Sequence, residues 1–282
     1  MDSPDSKKVM CITGATDGIG KTAALELAKA GCTLALVGRN PDKGNRVLEE
    51  IIRDSGNENI RFHICDLSLM EAVRKLAKEL QTDYDRLDVL LNNAGAYFSE
   101  FEKTDEGFER TFALNHLSYF LLTDLLLDIL EKTGNARIVN VASDAHQGAE
   151  LSFENLQGFD GYKGWPAYCK SKLANIMYTY ELDRRISGKG ITANSLHPGF
   201  VDTNFGNNNT GTVRVGLNAA KKVGAISPEK GALTSIYLAS SPEVEGVSGK
   251  YFYKCKQKNS NKASYVKSDQ EKLWQITETY LA

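Results

Sequence analysis

The turn Gly14-Ala15-Thr16-Asp17-Gly18-Ile19-Gly20 limits what this chain can fold into more than any other stretch, because it joins two unlike patterns. Before it, Lys8-Val9-Met10-Cys11-Ile12-Thr13 reads as a short apolar strand. After it, Lys21 to Ala28 is rich in helix formers. Glycines permit a tight reversal and let backbone lie close to a ligand. The helix that follows offers unpaired N–H groups and the positive end of its dipole, a seat for a diphosphate. The spacing is Gly-x3-Gly-x-Gly rather than the Gly-x-Gly-x-x-Gly of the common dinucleotide fingerprint. On the glycines alone, a turn with no ligand is an equal alternative. The candidate ligand contacts here are Gly14, Thr16, Asp17, Gly18, Ile19 and Gly20.

The rest of the chain repeats this alternation. Apolar runs occur at 8–13, 33–38, 60–65, 87–92, 136–142, 190–196 and 249–253, and helical patterns fill about 18–30, 42–55, 69–82, 105–131, 166–187 and 228–240. Val89-Leu90-Leu91 and Ile138-Val139-Asn140-Val141 are near-continuous apolar runs, as parallel strands covered on both faces should be. The alternation predicts an α/β fold, a single-domain Rossmann-type doubly wound parallel sheet of about seven strands with helices on both faces. No linker, repeat or low-complexity tract splits 1–282. With the glycine turn in the first part and long irregular segments in the second, residues 1–142 are expected to form mainly a dinucleotide-binding half and 143–282 a catalytic and substrate-binding half. Two segments break the rhythm, Ser143 to Trp165 and Gly199 to about Val223. Both follow the carboxyl ends of predicted strands, where ligands bind in such sheets, so both are candidate substrate walls.

Tyr168-Cys169-Lys170-Ser171-Lys172 lies in a helical pattern whose first turn accommodates Pro166. Positions i and i+4 share a helix face, so the Tyr168 phenol and the Lys172 ammonium project together. A fixed positive charge favours the phenolate, and such a pair can pass a proton to or from an alcohol or carbonyl oxygen. Alone, this spacing is more often an ordinary amphipathic face.

Taken in order, Gly14, Gly18 and Gly20, then Asn92-Asn93-Ala94-Gly95, then Asn115, Ser143, Tyr168 and Lys172 resemble the motif series of the short-chain dehydrogenase/reductase family over nearly the whole chain. Within that family the chain looks most like the retinol dehydrogenase group. The match is carried by Thr104-Asp105-Glu106-Gly107-Phe108-Glu109, Asn115-His116-Leu117, Ser171-Lys172-Leu173-Ala174-Asn175 and Leu196-His197-Pro198-Gly199. The resemblance implies Tyr168 as general acid in reduction and base in oxidation, and Ser143 as donor to the substrate oxygen. It implies Lys172 as holder of the nicotinamide ribose that also depresses the Tyr168 pKa, and Asn115 as support for a water leading to solvent. Asp66 and Leu67 would meet the adenine, although Asp66 also reads as a helix N-cap. Asn93, Ala94 and Gly95 would lie against the ribose, and Pro198, Gly199, Val201 and Thr203 at the nicotinamide end.

The second strand ends Val37-Gly38-Arg39-Asn40, where an NAD-preferring fold usually carries Asp or Glu. A guanidinium there can pair with a 2′-phosphate that a carboxylate would repel, so the expected coenzyme is NADP(H). Leu151, Phe153, Phe159, Tyr162, Trp165, Phe200 and Phe205 suggest aromatic walls for an apolar aldehyde, ketone or alcohol. The polar Asn204, Asn207, Asn208, Asn209, Lys221 and Lys222 argue against a dedicated retinoid lid. The rivals are a reductase of a quinone, steroid or small carbonyl, and a regulatory protein that binds NADPH without turnover.

A net charge of −2 and a pI near 6.1 exclude global attraction to nucleic acid. Five widely spaced cysteines without a CxxC read as reduced thiols, and no signal peptide or transmembrane pattern is evident, so the expectation is a cytoplasmic protein. The four histidines have no metal-ligand spacing. Lys254, Lys256, Lys258, Lys262 and Lys267 make a basic C-terminal tail, which leaves peripheral membrane contact open beside the commoner solvated tail. A helix near 270–276 should dock through Leu273, Trp274 and Ile276, on this chain or on a second subunit of a homo-oligomer.

Overall fold

The computed structural model describes residues 8–202, 206, 209 and 224–282. The apolar runs become β1 Val9–Thr13, β2 Thr33–Gly38, β3 Ile60–Ile64, β4 Val89–Asn92, β5 Ala136–Val141, β6 Ile191–Leu196 and β7 Lys250–Tyr253. They form one parallel sheet in the order β3-β2-β1-β4-β5-β6-β7. Ile12 of β1 stands level with Leu36 on one side and Leu91 on the other. An eighth strand, β8 Lys256–Lys258, returns antiparallel to β7 and closes the edge. The expectation of about seven strands missed it because Lys-Gln-Lys carries no apolar signal. Its hairpin turn places Lys254 and Cys255 at φ 52 and 57. The basic stretch is therefore folded rather than a free tail. Exposed lysines also blunt an edge strand against further pairing.

Alternating side chains send the sheet's apolar residues to two cores. Met10 and Ile12 face α1 Gly18–Lys29, α2 Pro41–Ser55 and α7 Pro228–Ser240. Cys11, Leu90 and Ile138 face α3 Met70–Asp83, α5 Ser118–Thr133, α6 Gly164–Arg185 and α8 Lys267–Leu281. Leu90 and Leu91 have no exposed surface, and each such side chain contributes about 2 kcal/mol by leaving water. α8 docks on its own chain. Trp274 stacks on Tyr178 at 5.7 Å and meets Phe120 edge-on at 4.6 Å, while Leu273 is buried beside them.

The segment expected to be helical from 105 starts later. Glu109 caps the short α4 Arg110–Phe112, taking the N–H groups of Thr111 and Phe112, both at 2.7 Å. A π-turn, Ala113–Leu117, then leads into α5. Glu106 lies outside that helix and caps α3 instead, its carboxylate accepting from Met70 N at 2.6 Å and Glu71 N at 2.8 Å. The stretch Arg110–Thr133 is long and apolar enough to cross a membrane, but it is packed in the core.

Candidate active site

Strand order reverses between β1 and β4, and the crevice beyond their carboxyl ends is where an open α/β sheet receives a ligand. The glycine turn opens there. Gly14 has φ +66, and a Cβ on it would lie 2.8 Å from the Ala94 Cα. A Cβ on Gly20 would lie 2.3 Å from the Gly14 carbonyl oxygen and 2.5 Å from Asn93 Nδ2. Asn93 ties the two loops together. Its amide donates to the Thr13 carbonyl at 2.8 Å, and its backbone N–H reaches Thr13 Oγ1 at 2.8 Å. This leaves a close-packed backbone shelf at the start of α1.

A pocket of about 560 Å³ extends from this shelf. Its wall includes Gly14, Thr16, Asp17, Gly18, Ile19, Gly20, Arg39, Asp66, Leu67, Asn93, Ala94 and Gly95, with Ser143, Tyr168, Lys172, Pro198, Gly199 and Val201 farther along. The structure thus brings together every sequence-expected residue except two. Thr203 lies outside the described residues. Asn115 does not line the pocket but stands directly behind it. The π-turn aims Asn115 at the loop after β4, where Oδ1 accepts from Ala96 N at 2.9 Å, and Nδ2 donates to Ala96 O at 3.0 Å and to Ser171 Oγ at 2.9 Å. A Cβ on Gly95 would lie 3.1 Å from Lys172 Nζ and 3.3 Å from Asn115 Oδ1, so glycine there lets these three residues converge.

Asp66 is not the cap of α3. Its Oδ1 accepts from Ser68 N at 3.0 Å and Ser68 Oγ at 2.7 Å, which turns the chain at the pocket rim. At the far end, Asn40 caps α2 with Pro41 at its first position, and its Oδ1 accepts from Lys43 N at 2.9 Å. That helix start carries Lys43 back to the glycine turn, where its ammonium pairs with Asp17 Oδ2 beside Arg39. The sequence reading missed Lys43, although an Asn-Pro helix start locates it. Asp42, the first carboxylate after Arg39 in the chain and so the candidate for an NAD-type ribose contact, does not line the pocket.

Tyr168 and Lys172 lie on the inward face of α6, both buried. Lys172 Nζ donates to the Val141 carbonyl at 3.0 Å and lies 5.8 Å from the Tyr168 ring centre. Burial pushes the Tyr168 phenol up to about 12, and a hydrogen bond with Ser143 pulls the other way. Burial lowers the Lys172 amine to about 7. The chain alone therefore does not produce the expected depression of Tyr168. One desolvated pocket disfavours charge on both groups, and a half-charged amine near neutrality is a weak counter-ion.

Of the expected aromatic walls, Trp165 and Phe200 line the pocket. Trp165 stacks on Tyr168 at 5.5 Å and meets Tyr97 edge-on at 5.9 Å, while remaining half exposed. Leu151 and Phe153 pack on the core instead. Phe159 pairs with Phe101, and Tyr162 anchors its loop by donating to the Phe98 carbonyl at 3.0 Å. Phe205 and Asn204, Asn207, Asn208, Lys221 and Lys222 lie outside the described residues. Asn209 holds the preceding loop, accepting from Ser99 N at 2.6 Å and donating to Tyr97 O at 2.8 Å.

A strand-order reversal, a glycine shelf and a buried Tyr–Lys pair thus share one pocket. The chain belongs to the short-chain dehydrogenase family, whose model matches residues 8–213. It is 38% identical to mouse retinol dehydrogenase 14 over 96% of this chain and 85% of that protein. It is also 38% identical to human polyprenol dehydrogenase over 96% of this chain and 84% of that protein. Among solved structures it is similar to an uncharacterized protein from Mycobacterium paratuberculosis, with a TM-score of 0.79, 27% identity, and coverage of 97% of this chain and 93% of that one. A protein described as an NAD(P)-dependent gluconate 5-dehydrogenase from Beutenbergia cavernae, with NADP bound, superposes with a TM-score of 0.70 at 27% identity, covering 87% of this chain and 94% of that one. The chain is thus an oxidoreductase acting on alcohols and carbonyls, of retinol dehydrogenase-like relationship.

Proposed function

We propose that the protein interconverts an apolar aldehyde or ketone and its alcohol with NADP(H), using Tyr168 as the general acid/base. One observation carries this reading: a single pocket runs from Arg39 and the glycine turn to Ser143, Tyr168 and Lys172. The glycine shelf fits a coenzyme: glycine at 14 and 20 lets the turn pack on Asn93 and Ala94 without a clash, and the turn's backbone lines the pocket at the start of α1. Bound NADPH supplies the hydride. The N–H groups at the start of α1 hold the diphosphate, and Arg39, with Lys43 beside it, faces the 2′-phosphate. Lys172 holds the nicotinamide ribose. Ser143 donates to the substrate oxygen as negative charge grows there, and the protonated phenol of Tyr168 delivers its proton to that oxygen. Trp165 and Phe200 give the substrate an apolar wall. The relatives named for retinol and polyprenol, both apolar alcohols, support the substrate class.

A panel of aldehydes and ketones, from small polar to long apolar, assayed with NADPH and NADH, tests the reading. Turnover should be fastest with NADPH and should rise with apolar chain length. Faster turnover with NADH, or a preference for small polar carbonyls, would refute the coenzyme or the substrate assignment respectively.

A further inference from the structure

His146 lies three residues beyond Ser143, in the 3-10 turn Asp144–Gly148, and its side chain has no exposed surface. Both ring nitrogens are engaged. The Asn261 backbone N–H points at Nε2 from 3.1 Å, and because an N–H only donates, Nε2 carries the lone pair. A neutral imidazole then bears its proton on Nδ1, which lies 2.6 Å from the Ser143 carbonyl oxygen. The other tautomer would set N–H against N–H and lone pair against carbonyl. Burial lowers the His146 pKa and so favours the neutral ring.

Asn261 is itself fixed on every polar atom. Its side-chain amide donates to the carbonyls of His146 at 2.9 Å and Ala149 at 2.8 Å, and its Oδ1 accepts from Ala263 N at 3.0 Å. The neighbouring Ser260 is tied to the Tyr180 hydroxyl on α6 at 2.8 Å. A segment 115 residues farther along the chain thus grips the turn that carries Ser143. On the other side, the Ser143 hydroxyl oxygen accepts from Ala145 N at 3.2 Å, and the hydroxyl interacts with the Tyr168 phenol, lowering its pKa against burial. Rotation of Ser143 is held at both its carbonyl and its hydroxyl.

We propose that His146 is a positioning residue for the reaction: its Nδ1–H bond to the Ser143 carbonyl fixes the Ser143 hydroxyl beside Tyr168, and Asn261 selects the tautomer that makes this bond. The inference rests on the activity proposed above for the same site. It gives the C-terminal segment a task at the reacting centre although none of its atoms reaches the pocket.

Three replacements separate the two bonds. His146→Asn keeps an N–H near the Nδ1 position and drops the Nε2 acceptor. His146→Gln carries an acceptor to the Nε2 position and drops the Nδ1 donor, and His146→Phe drops both. Each variant is assayed for kcat on the best carbonyl of the panel, for NADPH Kd by fluorescence, and for its urea midpoint. The Phe and Gln variants should lose about tenfold or more in kcat while NADPH Kd stays within about twofold, and Asn should restore most of the rate. A histidine that merely tethers Asn261 predicts the reverse order, with Gln rescuing and Asn not, and that order would overturn the proposal. Equal losses in Asn and Gln would do the same. Should the Phe variant fail to fold, the Asn–Gln contrast still decides. A wild-type protein inert toward every carbonyl would overturn the proposed activity and this role with it. An active wild type with all three variants at its rate would overturn the role of His146 alone.

Discussion

Replacing Lys172 with methionine should make the coenzyme-free protein more stable near neutral pH while destroying its activity. The amine is fully buried, and burial brings it from 10.5 to about 7. At about 1.4 kcal/mol per tenfold change, this disfavours the charged amine in the folded state by about 5 kcal/mol. Methionine fills similar volume without a charge. It also forfeits the hydrogen bond to the Val141 carbonyl, which retains the Tyr119 hydroxyl as a donor at 3.4 Å, a loss of about 1–2 kcal/mol. The net gain below pH 7 is about 3 kcal/mol. The sign of the pH dependence follows from linkage. An unfolded lysine keeps its proton up to 10.5, whereas the folded one sheds it above about 7, so between those values the unfolded chain binds more protons. Wild-type stability therefore rises with pH through that window, and the advantage of Lys172→Met is full below it and fades as pH climbs. Urea unfolding of both proteins at pH 6, 7.5 and 9, without coenzyme, reads this directly. A variant less stable at pH 6, or a difference that does not change with pH, would refute the claim that a desolvated ammonium is held in the site for function.

Three further outcomes are expected. Tyr168→Phe should abolish turnover while NADPH binding survives, because the ring keeps its stack with Trp165 and only the proton donor is lost; loss of binding would show that the role is misassigned. Arg39→Asp should raise the KM for NADPH by about tenfold or more relative to that for NADH, as expected for a lost charge-assisted contact; equal changes would mean that Arg39 does not read the phosphate. Gly20→Ala should cost coenzyme affinity and several kcal/mol of stability, since its Cβ meets the Gly14 carbonyl oxygen at 2.3 Å, a backbone contact that cannot move aside. Wild-type urea midpoint and NADPH Kd in that variant would contradict the close-packed shelf.

What was legible in the chain came from strong periodic signals. Apolar runs gave seven of the eight strands to within a residue or two, most clearly β4 and β5, where burial on both faces leaves no alternation to misread. The Tyr168–Lys172 spacing placed both groups on one buried face because helix geometry dictates it. What was illegible came from contacts between distant segments. Glu106 sits in a stretch with helical character, yet its carboxylate satisfies the N-terminus of α3 from 36 residues away. Lys43 drew no reading from its own neighbours; the Asn40 cap is what turns it toward Asp17. The environment of Tyr168 was also hidden. Spacing predicts attraction to Lys172, while the desolvation that outweighs it depends on Trp165, Tyr97 and Val141 closing around the pair. Among the described aromatic residues of the two irregular segments, Trp165 and Phe200 line the pocket, whereas Phe153 packs on the core and Phe159 and Tyr162 on neighbouring loops, a distinction that no local pattern carries.

The most direct test of the whole account is a crystal structure with NADPH bound. The nicotinamide should lie in the part of the pocket walled by Ser143, Tyr168 and Gly199, with Lys172 Nζ on its ribose hydroxyls and the 2′-phosphate at Arg39. A coenzyme seated with its nicotinamide away from Tyr168, or with the 2′-phosphate remote from Arg39, would contradict it.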